Sequence, residues 1–148
     1  MKSDPGWSVV ALRYFNPVGA NESGLISESP GGIPNNLMPY VCVVATGKLP
    51  YLHIFGNDCE TKDGTGERYF IHVMDLAEGH AAALKLPNLQ NGFEAINLVT
   101  GVSHSILDLI RSFEEESDQK ISVVIQARRI GDLPIYYSQA DKARKLLG

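Results

Sequence analysis

The chain has 148 residues, 44% hydrophobic and 20% charged, enough for one domain and one expected core. Its formal net charge of -4 gives no long-range field to draw in nucleic acid or an anionic membrane, so neither partner is expected and any anionic ligand must be held by a few placed cations. The longest apolar run, residues 40–45, falls far short of the ~20 residues of a spanning helix; the start MKSDPGW lacks a secretory signal's apolar stretch, and with Cys42 and Cys59 the only cysteines a reducing, cytoplasmic setting is expected.

In chain order, residues 9–15 form a β-branched and aromatic run that ends in an Asn-Pro-x-Gly turn, the mark of a strand entering a loop. Residues 36–46, closed by Gly47, have helical spacing, with Pro39 in the first turn, where a missing N–H costs nothing. Short apolar runs at 52–55, 69–73, 93–99 and 121–127 predict further strands, and the periodicity predicts helices over 74–86, stopped by Pro87, over 105–116 and over 139–147. Strands that alternate with helices favour an α/β sheet domain, because each crossover helix lets the next strand join in parallel. No repeat or linker marks a second domain.

Two polar loops, residues 16–36 and 56–68, are long for a compact domain, and such loops are more often functional than accidental. The helix after "PNN" would take its cap from Asn36, whose side chain is expected to accept from an early backbone N–H while the remaining orphan donors point outward, a setting that suits phosphate. Arg68 opens a strand after the flexible-looking "DGTG", and Arg128 and Arg129 follow the strand that ends at Ala127. Guanidiniums at strand edges fit a diphosphate or carboxylate, which they bind in bidentate fashion; equally, they could be surface arginines paired with Asp63 or Asp132. His53, His72, His80 and His104 have no metal-binding spacing, so no metal is expected. Cys42, within an apolar helix, reads as a small buried hydrophobe. No G-x-G-x-x-G turn is present: Tyr69 stands where the third glycine of Gly64 and Gly66 would fall. No tyrosine has a lysine four residues on, the helical spacing that would lower a catalytic phenol's pKa.

Taken together, "LRYFNPVGA", "GIPNNLMPYV", "IFGND", "DGTGER", "IHVMDLAEGH", "SILDLI" and "ARRIGDLPIYY" resemble, in the same order, the UDP-galactose (UDP-glucose) 4-epimerases of the extended short-chain dehydrogenase/reductase superfamily. The resemblance implies a partial Rossmann-type α/β fold, that of an NAD-dependent epimerase, lacking the N-terminal dinucleotide-binding half and carrying the UDP-sugar-binding portion. It implies NAD as the cofactor of the intact enzyme, UDP-glucose and UDP-galactose as substrates, and a homodimeric intact form. Carried across on matching positions, Phe15 falls beside the nicotinamide and Asn16 near the substrate diphosphate. Asn36 and Leu37 meet UDP, and His53, Ile54 and Phe55 run alongside the uridine. Arg68 and Arg129 bind phosphate, Asp132 the ribose, and Tyr136 lies close to the phosphates. No catalytic residue is carried over, so these residues by themselves are expected to be inactive. The alternative is a non-catalytic nucleotide-sugar-binding or partner-binding module. Where the family has an apolar residue this chain has Glu67, an acid expected to compete with phosphate for Arg68. Val99 stands where glycine is common and is expected to strain a turn.

Overall fold

The computed structural model describes residues 7–28, 31–86 and 92–148. Among the described residues seven strands and four helices follow one another in the order β1 (Ser8–Tyr14), β2 (Asn16–Val18), α1 (Leu37–Ala45), β3 (Leu52–Phe55), β4 (Glu67–His72), α2 (Val73–Ala83), β5 (Gly92–Leu98), β6 (Ser103–Ser105), α3 (Ile106–Ser117), β7 (Val123–Gln126) and α4 (Asp141–Leu147). The α/β class expected from the alternating pattern is therefore found. The chain divides into two compact units, one of Met1–Ser23, Tyr69–Val102 and Tyr137–Gly148, the other of Gly24–Arg68 and Ser103–Tyr136.

In the first unit β1 pairs with β5 in parallel along its whole length, from Ser8 opposite Gly92 to Tyr14 opposite Leu98. A parallel neighbour requires a crossover, and the chain from β1 returns to β5 through α2. The helix can lie close to the sheet because Gly79 has no side chain: a Cβ there would stand 2.9 Å from Leu98 Cδ1. Ile71, Ile96 and Leu98 form the unit's main core, backed by Val10, Leu12, Leu76, Ala143 and Leu147. Complete burial of a side chain such as Ile96, at 0% exposure, contributes about 1.5–3 kcal/mol. α4 is tied down by Lys142, which pairs with Glu94 and donates to Ala95 O at 2.7 Å. A second cluster gathers Tyr69, Val99 and Ala140 under Phe15. Val99 is thus a core residue and strains nothing; the positive φ in this loop belongs to Gly101, at +87°.

The second unit is built on the parallel ribbon β3–β7, in which Leu52 faces Val123 and Phe55 faces Gln126. The period of two turns Leu52 and Ile54 inward, to 1% and 3% exposure. There they meet Val41 and Val44 of α1, Ile110 of α3, and Ile121. α1 presents Leu37, Tyr40, Val41, Val44 and Ala45 to this core, a stripe at helical spacing that leaves Cys42 outside it. Contrary to expectation, Cys42 is exposed. α3 starts at Ser105, whose hydroxyl accepts from Asp108 N at 2.9 Å, and ends at Asp118 in the left-handed region, φ 54°, which aspartate tolerates.

The single core expected from composition is instead three apolar clusters. The two additional strands, β2 and β6, have three residues each, too short to carry a period. β2 pairs in parallel with β4, Asn16 opposite Phe70 and Val18 opposite His72. Pro87, the expected end of α2, lies outside the described residues; α2 itself ends at Ala83.

Next to β2 the chain turns at Gly19, φ +84°, directly over the imidazole of His72, and a Cβ there would lie 2.2 Å from Nε2. Gly24 also has a positive φ, +68°, but open space around it. Gly19→Ala is therefore expected to cost clearly more than the ~1 kcal/mol of a merely strained glycine position, and Gly24→Ala less than Gly19→Ala. Urea denaturation of the two variants checks the order; equal losses would show that the contact with His72 is unimportant.

Candidate functional site

In the second unit both ribbon strands run the same way, so Phe55 and Gln126 end together, and the loops that follow them leave from the carboxyl end. In open α/β sheets ligands bind beyond that end. The segment after β7 turns at Gly131, φ +87°, with Asp132 N donating to Arg129 O at 3.2 Å. It then runs beside the start of β4, where Glu67 N donates to Pro134 O at 2.8 Å and Glu67 bridges Ile135 in parallel. This crossing brings Asp132 and Tyr136 to Arg68.

Arg68 is the best defined cation of the unit. Its Nη1 donates to Glu67 O at 2.8 Å and Pro134 O at 3.3 Å, its Cζ lies 4.8 Å from the centroid of the Tyr136 ring, and Nη2 is 3.9 Å from Asp132 Oδ1. The side chain is 19% exposed, which leaves it partly desolvated but reachable. Glu67 does not compete for it: the Glu67 carboxylate accepts from the Ser103 hydroxyl at 2.8 Å, on the other side of an alternating strand.

A second grouping lies on the outer face of β3. Tyr51, His53 and Phe55 alternate with the buried residues, with ring separations of 5.1 and 6.3 Å, and Arg129 Cζ stands 3.7 Å from the centre of the Phe55 ring. Arg over an aromatic face at this range is a cation–π contact, and it keeps the guanidinium above the row. Gln126 Nε2 lies 3.3 Å from His53 Nδ1 and orients the imidazole. Ile54, assigned with these two to the uridine, sends its side chain into the core instead, leaving only its main chain on the strand edge. Arg128, the third candidate cation, lies 3.9 Å from Asp58 Oδ1 and packs its stem over Gly56.

At the start of α1, Asn36 has extended backbone, φ -88° and ψ 147°, and makes no side-chain cap bond, contrary to the plain cap expected of it. Its carbonyl accepts from Tyr40 N at 3.2 Å. Leu37 packs against the unit's core. In the first unit Asn16 Nδ2 donates to Tyr69 O at 3.0 Å, which fixes the amide and leaves its oxygen available as an acceptor. Phe15 stands edge-on to Tyr69, centroids 5.8 Å apart.

The "DGTG" turn, read as flexible, holds the least accessible polar side chain of the unit: Thr65 is 0% exposed. Asp63 Oδ1 accepts from Thr65 N and Thr65 Oγ1 at 3.0 and 2.7 Å, and Oδ2 accepts from the Ser105 hydroxyl and Arg111 Nη2 at 2.5 and 3.3 Å. Burial alone would raise the Asp63 pKa, but the hydrogen bonds from Ser105 and Thr65, with the Arg111 charge, outweigh it and hold the carboxyl below its ordinary value. Sequence reasoning missed Thr65 and Ser105, and gave Asp63 only as a pairing acid for the strand-edge arginines, because the contact that joins the turn to Ser105 spans 42 residues. The available signal was a carboxylate in a Gly-rich turn and a Ser-x-x-Asp helix start.

A dinucleotide needs a glycine-rich turn from strand into helix to receive its diphosphate. In the unit that contains Phe15, the strand-to-helix junction is His72–Val73, and the imidazole fills it by accepting from Met74 N. Among the described residues that junction therefore carries an imidazole cap and not a glycine turn. Nor do the described residues include a group of three or more His, Cys, Asp or Glu placed to hold a metal ion, or a helix long and apolar enough to cross a membrane.

A sequence profile of the NAD dependent epimerase/dehydratase family matches residues 1–98. The chain belongs to the NAD-dependent epimerase/dehydratase family. It is 53% identical over 147 residues to a UDP-glucose 4-epimerase of Neisseria meningitidis serogroup C, covering 99% of this chain and 43% of that protein. To the UDP-glucose 4-epimerase of Drosophila melanogaster it is 53% identical over 149 residues, with 99% and 43% covered. Among solved structures, UDP-glucose 4-epimerase from Bifidobacterium longum, in complex with NAD+ and UDP, superposes with a TM-score of 0.91 at 48% identity, over 97% of this chain and 43% of that one. The resemblance to UDP-glucose 4-epimerases and the Rossmann-like α/β fold read from the motifs are both found, and this epimerase-family chain spans less than half the length of the relatives it matches.

Because the Asp63 pKa is lowered on folding, its stabilisation is present above the ordinary value of 3.8 and is lost as pH falls through the depressed one. Asp63→Asn should therefore lower stability most near pH 7, with the deficit against the parent shrinking by pH 3. Denaturant midpoints at the two pH values test this, and a deficit independent of pH would rule it out.

Proposed function

We propose that this chain is the UDP-sugar-binding portion of a UDP-glucose 4-epimerase-like enzyme, one that interconverts UDP-galactose and UDP-glucose with NAD when the whole catalytic apparatus is assembled. The observation that carries the reading is Arg68: a partly buried guanidinium at the start of β4, held by main-chain carbonyls and an aromatic face beside the segment that follows β7. It is supported by identity above 50% to UDP-glucose 4-epimerases over nearly the whole chain and by the UDP and NAD+ bound in the Bifidobacterium relative.

In this reading Arg68 and Arg129 of the second unit take the diphosphate, with Tyr136 beside Arg68, and in the first unit Asn16 is a substrate-binding amide. Asp132 accepts from the ribose hydroxyls. His53, Phe55 and the main chain of Ile54 lie along the uridine, and Asn36 and Leu37 meet the nucleotide at the start of α1. Phe15 flanks the nicotinamide. A sugar that must turn over between two hydride transfers cannot be gripped tightly, so binding energy has to come from the remote nucleotide. At about 1.5–3 kcal/mol for each charge-assisted hydrogen bond, two arginines bonding in bidentate fashion reach the ~8 kcal/mol of micromolar UDP.

Calorimetry with UDP is the direct test. The 148-residue chain should bind UDP, and Arg68→Met should weaken it at least tenfold; unchanged affinity would remove Arg68 from the site. Replacing Phe55 by Leu should loosen Arg129 and weaken UDP severalfold. Supplied with NAD and UDP-galactose, these residues alone should give no turnover, since they contain neither the glycine turn nor a Tyr-x-x-x-Lys pair; measurable UDP-glucose formation would refute the proposed division of labour.

A further inference from the structure

Arg68 does not extend away from its strand. Its guanidinium folds back over the main chain before it: a Cβ on Gly66 would stand 3.0 Å from Nη1 and 3.4 Å from Cζ and Nη2. Nη1 donates to the carbonyl of the adjacent Glu67. The position of the charge is therefore set by where the Thr65–Gly66–Glu67 backbone lies.

That backbone is fastened to the amino end of α3. Gly66 O accepts from Ile106 N at 3.2 Å, Thr65 Oγ1 lies 3.5 Å from Leu107 N, and Asp108 N is taken by Ser105 Oγ. These early donors of the helix are thus occupied by the turn and its cap. Asp63 joins the two sides: one carboxylate oxygen holds the Thr65 amide and hydroxyl, the other the Ser105 hydroxyl and Arg111. Thr61 Oγ1 closes the turn from behind, donating to Thr65 O at 2.6 Å. α3 is itself anchored in the core through Ile110, so the fastening is to a fixed body.

We infer that Asp63 is a positioning residue for diphosphate binding, setting the Arg68 guanidinium through Thr65 and Gly66 without touching the ligand. The inference rests on the reading of Arg68 as the diphosphate cation. Its physical basis is the steep dependence of charge-assisted hydrogen bonds on distance and angle, so a guanidinium held out of place gives up much of its bond to a diphosphate. Asparagine keeps the shape of Asp63 but presents an N–H₂ donor to one side, so the Ser105 hydroxyl and Arg111 lose their common acceptor.

A residue that merely stabilised the fold would affect every ligand alike, whereas one that places Arg68 affects only ligands with a diphosphate. UDP and uridine are therefore titrated against the full chain and its Asp63→Asn, Thr65→Val and Ile110→Val variants, by calorimetry for UDP and NMR shift titration for uridine, well below each variant's unfolding temperature. Asp63→Asn and Thr65→Val are expected to weaken UDP five- to twentyfold with uridine within twofold, and Ile110→Val, a core change, to alter neither. If Asp63→Asn does not fold, Thr65→Val decides. Unchanged UDP affinity, or uridine weakened in parallel with UDP, overturns the positioning role. Arg68→Met is run beside them: UDP unaffected there removes the diphosphate reading itself, whereas UDP weakened there but not in the Asp63 and Thr65 variants removes the positioning role alone.

Discussion

A guanidinium that gives its hydrogen bonds to main-chain carbonyls keeps most of its charge for a ligand, whereas one in a tight bidentate pair with a carboxylate does not. Arg68 is in the first condition. Glu67 O and Pro134 O take one nitrogen, Tyr136 supplies an aromatic face, and the acid paired with it among the described residues, Asp132, is at the long distance of 3.9 Å. The acid next to it in sequence is engaged elsewhere, by the Ser103 hydroxyl. That arrangement depends on two strand-like segments lying side by side, β4 and residues 134–136.

The β3–β7 ribbon serves the same end by different means. Its inner face is aliphatic and closes the core with α1 and α3; its outer face is a row of rings with Arg129 above the last of them. A flat, partly apolar row beside a cation is chemically suited to a nucleotide, whose base stacks and whose phosphates are anionic. Because the strands are parallel, the last ring of the row, Phe55, and the loop that carries Arg128 and Arg129 meet at one end of the ribbon.

The two units differ in what they lack. The second has cations, rings and an anchored turn; the first has the longer parallel pair, a fixed Asn16 amide and an aromatic edge at Phe15, but its strand-to-helix junction is closed by His72. The chain spans 43% of the length of the Neisseria meningitidis relative it resembles.

Sequence alone determined the elements whose apolar period is long enough to register: all four helices, the strands at β1, β3, β4, β5 and β7, and the α/β class. It also singled out Arg68, Arg128 and Arg129, because guanidiniums at strand edges are conspicuous in a chain of negative net charge, whereas Asp132 entered only as their pairing acid and through the family resemblance. What it could not determine were features defined by partners distant in sequence. β2 and β6 are strands only because β4 lies between them; Cys42 is exposed because the helix stripe passes through Val41 and Val44; Ile54 turns inward because its neighbours at 53 and 55 turn out. Thr65, a small polar residue in a glycine-rich turn, reads as solvent-exposed until Asp63 and the first residues of α3 are seen to enclose it. Local propensity reaches one turn or one strand along the chain, whereas burial and hydrogen-bond partnership are decided by whichever segment folding brings alongside.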